Sequence, residues 1–595
     1  VEAQDTNAVS SIVVNSAINK TAGNDASLTL TAQRDVVVNA KITSGANALD
    51  INLHADSDGD SLGAEVVNAD TETNGGSFNA GSGTNISDGT VGTYFGTGAS
   101  SILTNGGAVN LYGDVAVGSA SNLEINTKGT DKSGDITVTG NVYSANSYNV
   151  VEEKNLTWEE AKLAAQGTTG GTTAVGDKYL ATITTALENS IVNASTSGKS
   201  EELFVGGVGS QTSDHSVGGR SFYWVTGPES AAKGAESVTV NGNTYTGTKF
   251  YETDAKATYD KNMKTEVSGT TTGYSNWHTG EPNNHGGTDY KDKTDYKTQQ
   301  TYVAVGYGPA SKWDDVANTE VTDGSVEGYI VETNQENSGL TLNAGSGTVT
   351  ISGNVGSSKA LGSFNINNTG YVTIGGNITV TDMAGKTGDA VINSAGNVTI
   401  GGTVNTAGSF TIGSADDQKA KTVTLDKGVV TGGDASVYTT GNITTNGVDA
   451  GGKITLVSKG GTYTGGRTLS ESTDTGTITL NGKLHSGSTD ADAVIIATKG
   501  SFVNKTKNTE TDTTAAITTG TGGSWKIYSA TPYSDTFGTN LNSGTYAVWH
   551  YDGTSDAVQK DSNQYIFAYQ PTLTITANDA TQHSGTISVG NGISA

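Results

Sequence analysis

Cysteine is absent from the 595-residue sequence, which removes disulfides, thiolate metal sites and cysteine nucleophiles together. It would also ease transit through a periplasm and an outer membrane. Arginine occurs only at Arg34, Arg220 and Arg467, charged residues make up 16%, and the formal net charge is -27, so a nucleic-acid partner is not expected. No apolar run approaches the roughly 18 to 20 residues that a membrane-spanning helix needs. The N-terminus lacks both a Met and the basic-then-apolar layout of a signal peptide, so the chain is expected to be mature or excised. Proline is scarce, with 5 residues.

What fills the sequence is 82 Gly together with Thr, Ser, Asn and Asp alternating with Val, Ile and Leu. The apolar residues fall in short period-two packets rather than helical stripes, which predicts a mainly β protein. One pattern recurs, Gly-x-Val/Ile-x-apolar-x-Gly-x-Val/Ile, with its best copies starting at Gly107, Gly134, Gly347, Gly370, Gly396, Gly452 and Gly476. Neighbouring copies lie 23 to 27 residues apart. A unit of that length cannot bury its apolar row alone and must stack on its neighbours, which predicts a right-handed parallel β-helix. Val349, Ile351, Val372, Ile374, Val398 and Ile400 should then point inward, with the intervening Thr residues facing water. Strands about 4.8 Å apart and coils of about 25 residues give roughly 13 or 14 coils, a rod of about 65 Å.

This shaft resembles the filamentous-haemagglutinin-type exoproteins exported by two-partner secretion. SLTLTAQRDVVVNAKI from Ser27 resembles their coil sequence, and SWKIYSATPYSD from Ser524 and FAYQPTLTITANDAT from Phe567 are similar to the module that follows the shaft in such adhesins. That resemblance covers about 400 residues by the repeat reading, and implies a processed or excised piece of a larger exoprotein.

Between about Val150 and Thr333 the repeat stops. Trp158, Trp224, Trp277 and Trp313, four of the six tryptophans, lie there with Pro228, Pro282 and Pro309. Thr157 with Glu160, and Thr185 with Glu188, form capping boxes ahead of two helices. These features predict an α+β domain inserted at a coil edge. The expected division is 1–148 first part of the shaft, 149–334 inserted domain, 335–528 second part of the shaft and 529–595 a C-terminal β module or tail. The ordered landmarks LTWEEAKLAA from Leu156, YLATITTALENSIV from Tyr179, LFVGG from Leu203, FYWVTGPE from Phe222, YSNWHTGEPNNHGG from Tyr274, SKWDDV from Ser311 and GYIVE from Gly328 resemble the C-type-lectin-like fold. Relative to that family, Ser230 to Thr272 reads as a loop insertion.

The resemblance implies a Ca²⁺ and sugar site around Glu-Pro-Asn and Trp-Asn-Asp, here Glu281, Pro282, Asn283 and Trp313, Asp314, Asp315. Such an ion takes six to eight oxygen ligands, which suits a mixture of carboxylates and amide oxygens. In related lectins the proline peptide is cis. By this carry-over the metal ligands are Glu281, Asn283, Gln300, Asp314 and Asp315, and the ligand-binding residues Glu281, Pro282, Asn283, His285 and Asp314. Two departures offset each other in charge: the family's second glutamate becomes Gln300, and the Asn of Trp-Asn-Asp becomes Asp314. TDYKDKTDYK from Thr288 enters the binding loop, where either Asp289, Asp292 or Asp295 supplies a further ligand or the loop obstructs the sugar.

DSDGD at Asp56, Asp58 and Asp60 lacks the Gly and the terminal Glu of a calcium loop, and His278 and His285 lack partners at zinc spacing. The shaft's two arginines, Arg34 and Arg467, lie far apart in sequence and its acids are scattered, which speaks against a polysaccharide hydrolase or lyase. The expected role is therefore a secreted, non-enzymatic bacterial surface adhesin with glycan or surface-protein partners on host or neighbouring cells. The alternative is a structural subunit that associates head to tail into a fibre or matrix through β-helix ends and terminal strands.

Overall fold

A computed structural model describes residues 2–3, 10–59, 63–81, 92–96, 98–118, 122–167, 174, 176–196, 202–212, 216–257, 267–284, 299–307, 312–318, 325–334, 337–382, 388–414, 420–458, 461–462, 468–469, 476–508, 513–549, 551, 558, 561–569 and 571. The alternating packets become strands of two to seven residues dealt in turn to three parallel sheets. One circuit shows the rule: Val398–Ile400 joins the first sheet, Val404–Thr406 the second and Phe410–Ile412 the third. The next circuit repeats it with Val423–Leu425, Val429–Thr431 and Ala435–Thr439. Among the described residues the first sheet has 13 strands and the third 14, in keeping with the expected number of coils. The second is two six-stranded halves linked by single bridges from Val142 to Val355 and from Val355 to Ile378. The chain is thus mainly β with long parallel sheets, an arrangement compatible with a solenoid.

Register explains why the repeat is strict. Val349, Val372 and Val398 are successive partners, as are Ile351, Ile374 and Ile400, and all six are buried. A slip of one residue would turn this row outward and the threonines inward. Gly370 and Gly396 mark a corner where coils nearly touch: a Cβ on Gly396 would lie 1.8 Å from the Gly370 carbonyl oxygen. One copy of the repeat departs from the rest. The strand after Gly452, Ile454–Ser458, lies in the third sheet, whereas those after Gly107, Gly134, Gly347, Gly370, Gly396 and Gly476 lie in the first.

The insertion leaves two sheets unbroken. Asn122–Asn126 pairs directly with Gly339–Asn343, and Ile136–Val138 with Thr348–Ile351. Between them the chain leaves through Ser147–Glu152 and returns through Val326–Thr333, and these two strands pair antiparallel. Around that stem stand a mostly antiparallel sheet and two helices, α1 (Trp158–Gln166) and α2 (Ala186–Thr196). The Thr157–Glu160 capping box forms in full, and Glu188 and Thr185 exchange the two reciprocal bonds of the second. Neither helix is long and apolar enough to cross a membrane. Leu187 and Ile191 of α2 pack on Val66, Tyr94, Ala116 and Tyr143, which face outward from the second sheet, so the insertion is clamped to the shaft's flank as well as tethered at its stem.

The described part of Ser230 to Thr272, expected as a loop, contains strands. Glu236–Val240 and Asn243–Thr253 form a hairpin, and the longer strand continues into the main sheet against Ser221–Trp224. Asn241 and Gly242, with φ of 49° and 80°, supply the two left-handed positions of its tight turn. Asn-Gly between alternating residues is itself the hairpin signal.

Candidate functional site

Two segments are zipped together to make the site. His278 N–H donates to the Trp313 carbonyl and Trp313 N–H to the Asn276 carbonyl, each at 2.9 Å, which lays residues 276–284 along the strand Lys312–Val316. The pairing is anchored from below: Trp277 and Trp313 meet edge to face at 5.8 Å, and Trp313 Nε1 donates to Asn189 Oδ1 of α2 at 2.9 Å. The Glu281–Pro282 peptide is cis. Glu281, Asp314 and Asp315 are all buried, and one carboxylate oxygen from each lies within 4.8 Å of the others.

Asp315 is the anchor of this group. Its Oδ1 accepts from Asn283 N–H at 2.7 Å, and its Oδ2 accepts from Asn284 N–H at 3.1 Å and from Arg220 Nη1 at 2.5 Å. Arg220 is wholly buried and also donates to the carbonyls of Ser210 and Gln300. Asn283 closes back on Glu281, with N–H to Oε2 at 3.0 Å and Nδ2 to Oε1 at 2.7 Å. Gln300 takes part through its backbone, accepting from Arg220 and donating N–H to Asn284 Oδ1 at 3.2 Å. Asn284 sits at φ 56°, a conformation asparagine tolerates better than most residues.

Charge decides what this arrangement can do. Three carboxylates against one guanidinium leave a formal charge of minus two in a buried space, which is costly unless a proton or a cation supplies the balance. Burial first, and then the charge of Asp315, push the Glu281 carboxyl well above the usual carboxylate range. Near neutrality it therefore holds a proton unless a cation takes the proton's place. The donors are all oxygens, from carboxylates and amides, the set that hard divalent cations prefer over zinc or copper. A carboxylate has about four lone-pair positions, so Asp315 keeps acceptor capacity beyond its three bonds. Glu281, Asp314 and an oxygen of Asp315 could thus hold such an ion.

Of the site residues expected from sequence, Glu281, Pro282, Asn283, Asp314, Asp315 and, by its backbone, Gln300 are brought together here. His285, Asp289, Asp292 and Asp295 lie outside the described residues, as does Asp60 of the DSDGD stretch. Arg220 and Asn284 are additions that motif reading did not single out for the site. Arg220 carries one signal that does not depend on a motif: it is the sole arginine of the inserted segment, and Arg34, the other described arginine, is likewise buried beside an aspartate, Asp35, at 3.4 Å. No protein-family model matches the chain, and no curated protein or solved structure matches it either.

Proposed function

We propose that this chain is a secreted, non-enzymatic adhesin of the filamentous-haemagglutinin type, in which a right-handed parallel β-helical rod presents a C-type-lectin-like domain with a Ca²⁺-dependent recognition site. The observation that carries this reading is the buried cluster of Glu281, Asp314 and Asp315, whose charge exceeds that of Arg220 by two. The ion would be held by Glu281, Asn283, Asp314 and Asp315 and would supply open coordination positions for the hydroxyls of a glycan or a carboxylate of a protein partner. The protein's own part is to fix these oxygens in advance, through Arg220 and the Asn283 and Asn284 amides. Titration calorimetry of Ca²⁺ into the full chain tests it. Uptake of one ion, lost in Glu281→Gln and in Asp314→Asn, together with chelator-sensitive hits on a glycan array, is the expected result. Absence of uptake by the folded wild-type chain would sink the metal and the calcium-dependent recognition with it.

A second reading, a subunit that stacks head to tail, draws on the two unlike ends of the sheets. Among the described residues, Ile12–Val14 and Ile18–Lys20 are outermost in the second and third sheets, and Ile12, Val14, Ile18 and Leu28 are only partly buried. At the other end Phe537, Tyr565, Phe567 and Trp549 pack ring against ring over the last coil. An open strand edge with exposed core residues is a template for further pairing. Sedimentation and negative-stain microscopy at neutral pH distinguish the readings: filaments favour stacking, and a monodisperse monomer counts against it.

A further inference from the structure

Where the insertion leaves and rejoins the shaft, a lysine, an asparagine and a buried glutamate meet. Asn146 lies between the shaft strand Val142–Ser144 and the outgoing stem strand Ser147–Glu152. Glu332 is on the returning strand Val326–Thr333, and Lys359 belongs to the following coil of the shaft, held there as its carbonyl accepts from Ser144 N–H at 3.1 Å. Lys359 Nζ donates to Asn146 Oδ1 at 2.5 Å, and Asn146 Nδ2 donates to Glu332 Oε1 at 2.6 Å. Because a carbonyl bond is about 1.23 Å long, Nζ stands no more than about 3.7 Å from the Asn146 carboxamide carbon. That approaches the separation of about 3–3.5 Å at which a positioned pair reacts, and holding the two groups together removes most of the entropic barrier.

We propose that Lys359 and Asn146 form an intramolecular amide cross-link, promoted by Glu332. The neutral amine of Lys359 attacks Cγ of Asn146, a bond forms between Nζ and Cγ, and the bond from Cγ to Nδ2 breaks. Glu332 takes the proton shed by Nζ and delivers it to Nδ2, which leaves as ammonia. One amide replaces another, so no oxidant or reductant is needed, and Glu332 ends in the protonation state in which it began.

The surroundings suit each role. Burial draws the Lys359 amine down to about 8, so that an appreciable fraction is the free base near neutrality, although the charge of Glu332 pulls the other way. Burial, followed by the charge of Glu188, lifts Glu332 to about 8, where a carboxyl both takes and gives a proton. Glu229 lies on the same side, and its Oε2 shares the Thr182 hydroxyl with Glu332 Oε2. Tyr179 O–H, Thr182 N–H and Thr182 O–H fix the Glu332 carboxyl at 3.1, 2.9 and 3.1 Å. Asn334 is the competing amide, 3.2 Å from Lys359 Nζ, but its Nδ2 donates to the Ala174 carbonyl, while Glu332 bonds Asn146. Geometry therefore selects Asn146. The bond would close a loop around the whole insertion and tie its outgoing strand to the coil beyond its return, so that tension along the shaft passes through the cross-link instead of through the inserted fold.

Intact-mass spectrometry of the denatured full chain, followed by peptide mapping, tests this. The expected result is a mass one ammonia below that of the sequence and a branched peptide joining Asn146 to Lys359. Lys359→Arg and Asn146→Ala should lose both, and Glu332→Gln should lose the cross-link while retaining both reactants. A folded wild-type chain at full sequence mass overturns the proposal. So does an ammonia loss that maps to a cyclised asparagine elsewhere or to Asn334. The wild-type mass decides even if a variant fails to fold.

Discussion

Arg220 and Asp315 form an ion pair from which water is excluded on both sides, with Nη1 and Oδ2 2.5 Å apart and neither side chain exposed. The pair joins the strand next to the hairpin to the strand that carries the acidic cluster, and the Asp315 carboxylate in turn holds the Asn283 and Asn284 amides. Removing one member of a buried pair leaves the other charge unpaired, a loss of about 3–5 kcal/mol. Arg220→Met is therefore expected to unfold the insertion at markedly lower temperature. Arg220→Lys should rescue it poorly, since an ammonium cannot reproduce the fork that reaches Ser210, Gln300 and Asp315 together. Near-ultraviolet circular dichroism, dominated by the clustered Trp224, Trp277 and Trp313 rings, follows this transition. A wild-type melting curve for Arg220→Met would contradict the pairing.

Asp314 should behave differently from Asp315. Asp315 holds the Arg220 guanidinium, whereas Asp314 hydrogen-bonds the Glu281 carboxyl, and the proposed ion depends on it. Asp314→Asn is expected to leave the metal-free melting temperature near that of wild type and to abolish the rise produced by Ca²⁺. For wild type, a free ion concentration of 100 times Kd adds about 2.7 kcal/mol to the stability of the ion-binding state, which chelator reverses. Thermal scans of both proteins with Ca²⁺ and with chelator check this, and equal Ca²⁺ responses would remove Asp314 from the site.

The shaft was legible because its period is imposed by stacking: residues 23 to 27 apart in sequence become register partners, so the Val and Ile rows can be read directly off the Gly347, Gly370 and Gly396 copies. Glu281, Asn283, Asp314 and Asp315 were legible through short motifs. Arg220 has no such mark, because its partner lies 95 residues away and nothing local requires an arginine. Lys359 and Asn146 are 213 residues apart and meet only because the shaft closes across the insertion. The hairpin at Asn241–Gly242 was missed for a different reason: comparison with a family made it surplus, although its own alternation and turn residues signal strands.

Glycines of the shaft divide into two kinds. At Gly396 an added Cβ would collide with the Gly370 carbonyl of the coil below, and at Gly370 with that of Ser346 at 2.4 Å, so backbone would have to move. At Gly428 a Cβ meets nothing within 4 Å. Gly396→Ala is expected to destabilise by about 1–3 kcal/mol through overpacking, whereas Gly428→Ala should be neutral or stabilising by about 0.4–1 kcal/mol through the unfolded chain. Calorimetric melting of the two variants should separate them. Equal shifts would show that coil contact at the Gly396 corner is not what excludes side chains there.

Glu65 gives the shaft a pH dependence of its own. It is fully buried in the second sheet, and its Oε1 accepts from Ala55 N–H at 2.8 Å. The hydroxyl of Thr93, its register partner in the next coil, has no hydrogen-bond partner among the described residues. Burial, with a smaller push from Asp35, raises the carboxyl from 4.5 to about 8. Between those values the folded chain keeps a proton that the unfolded chain releases. Stability from this group is fully present below 4.5 and is lost as pH rises to about 8, by at most about 1.4 kcal/mol per pH unit, and the loss levels off above that. Glu65→Gln keeps an acceptor for Ala55 and cannot ionise, so its denaturation midpoint should decline less across this window and exceed that of wild type at the alkaline end. Urea titrations of both chains at successive pH values measure the difference, and parallel curves would mean that Glu65 ionises alike in the folded and unfolded states.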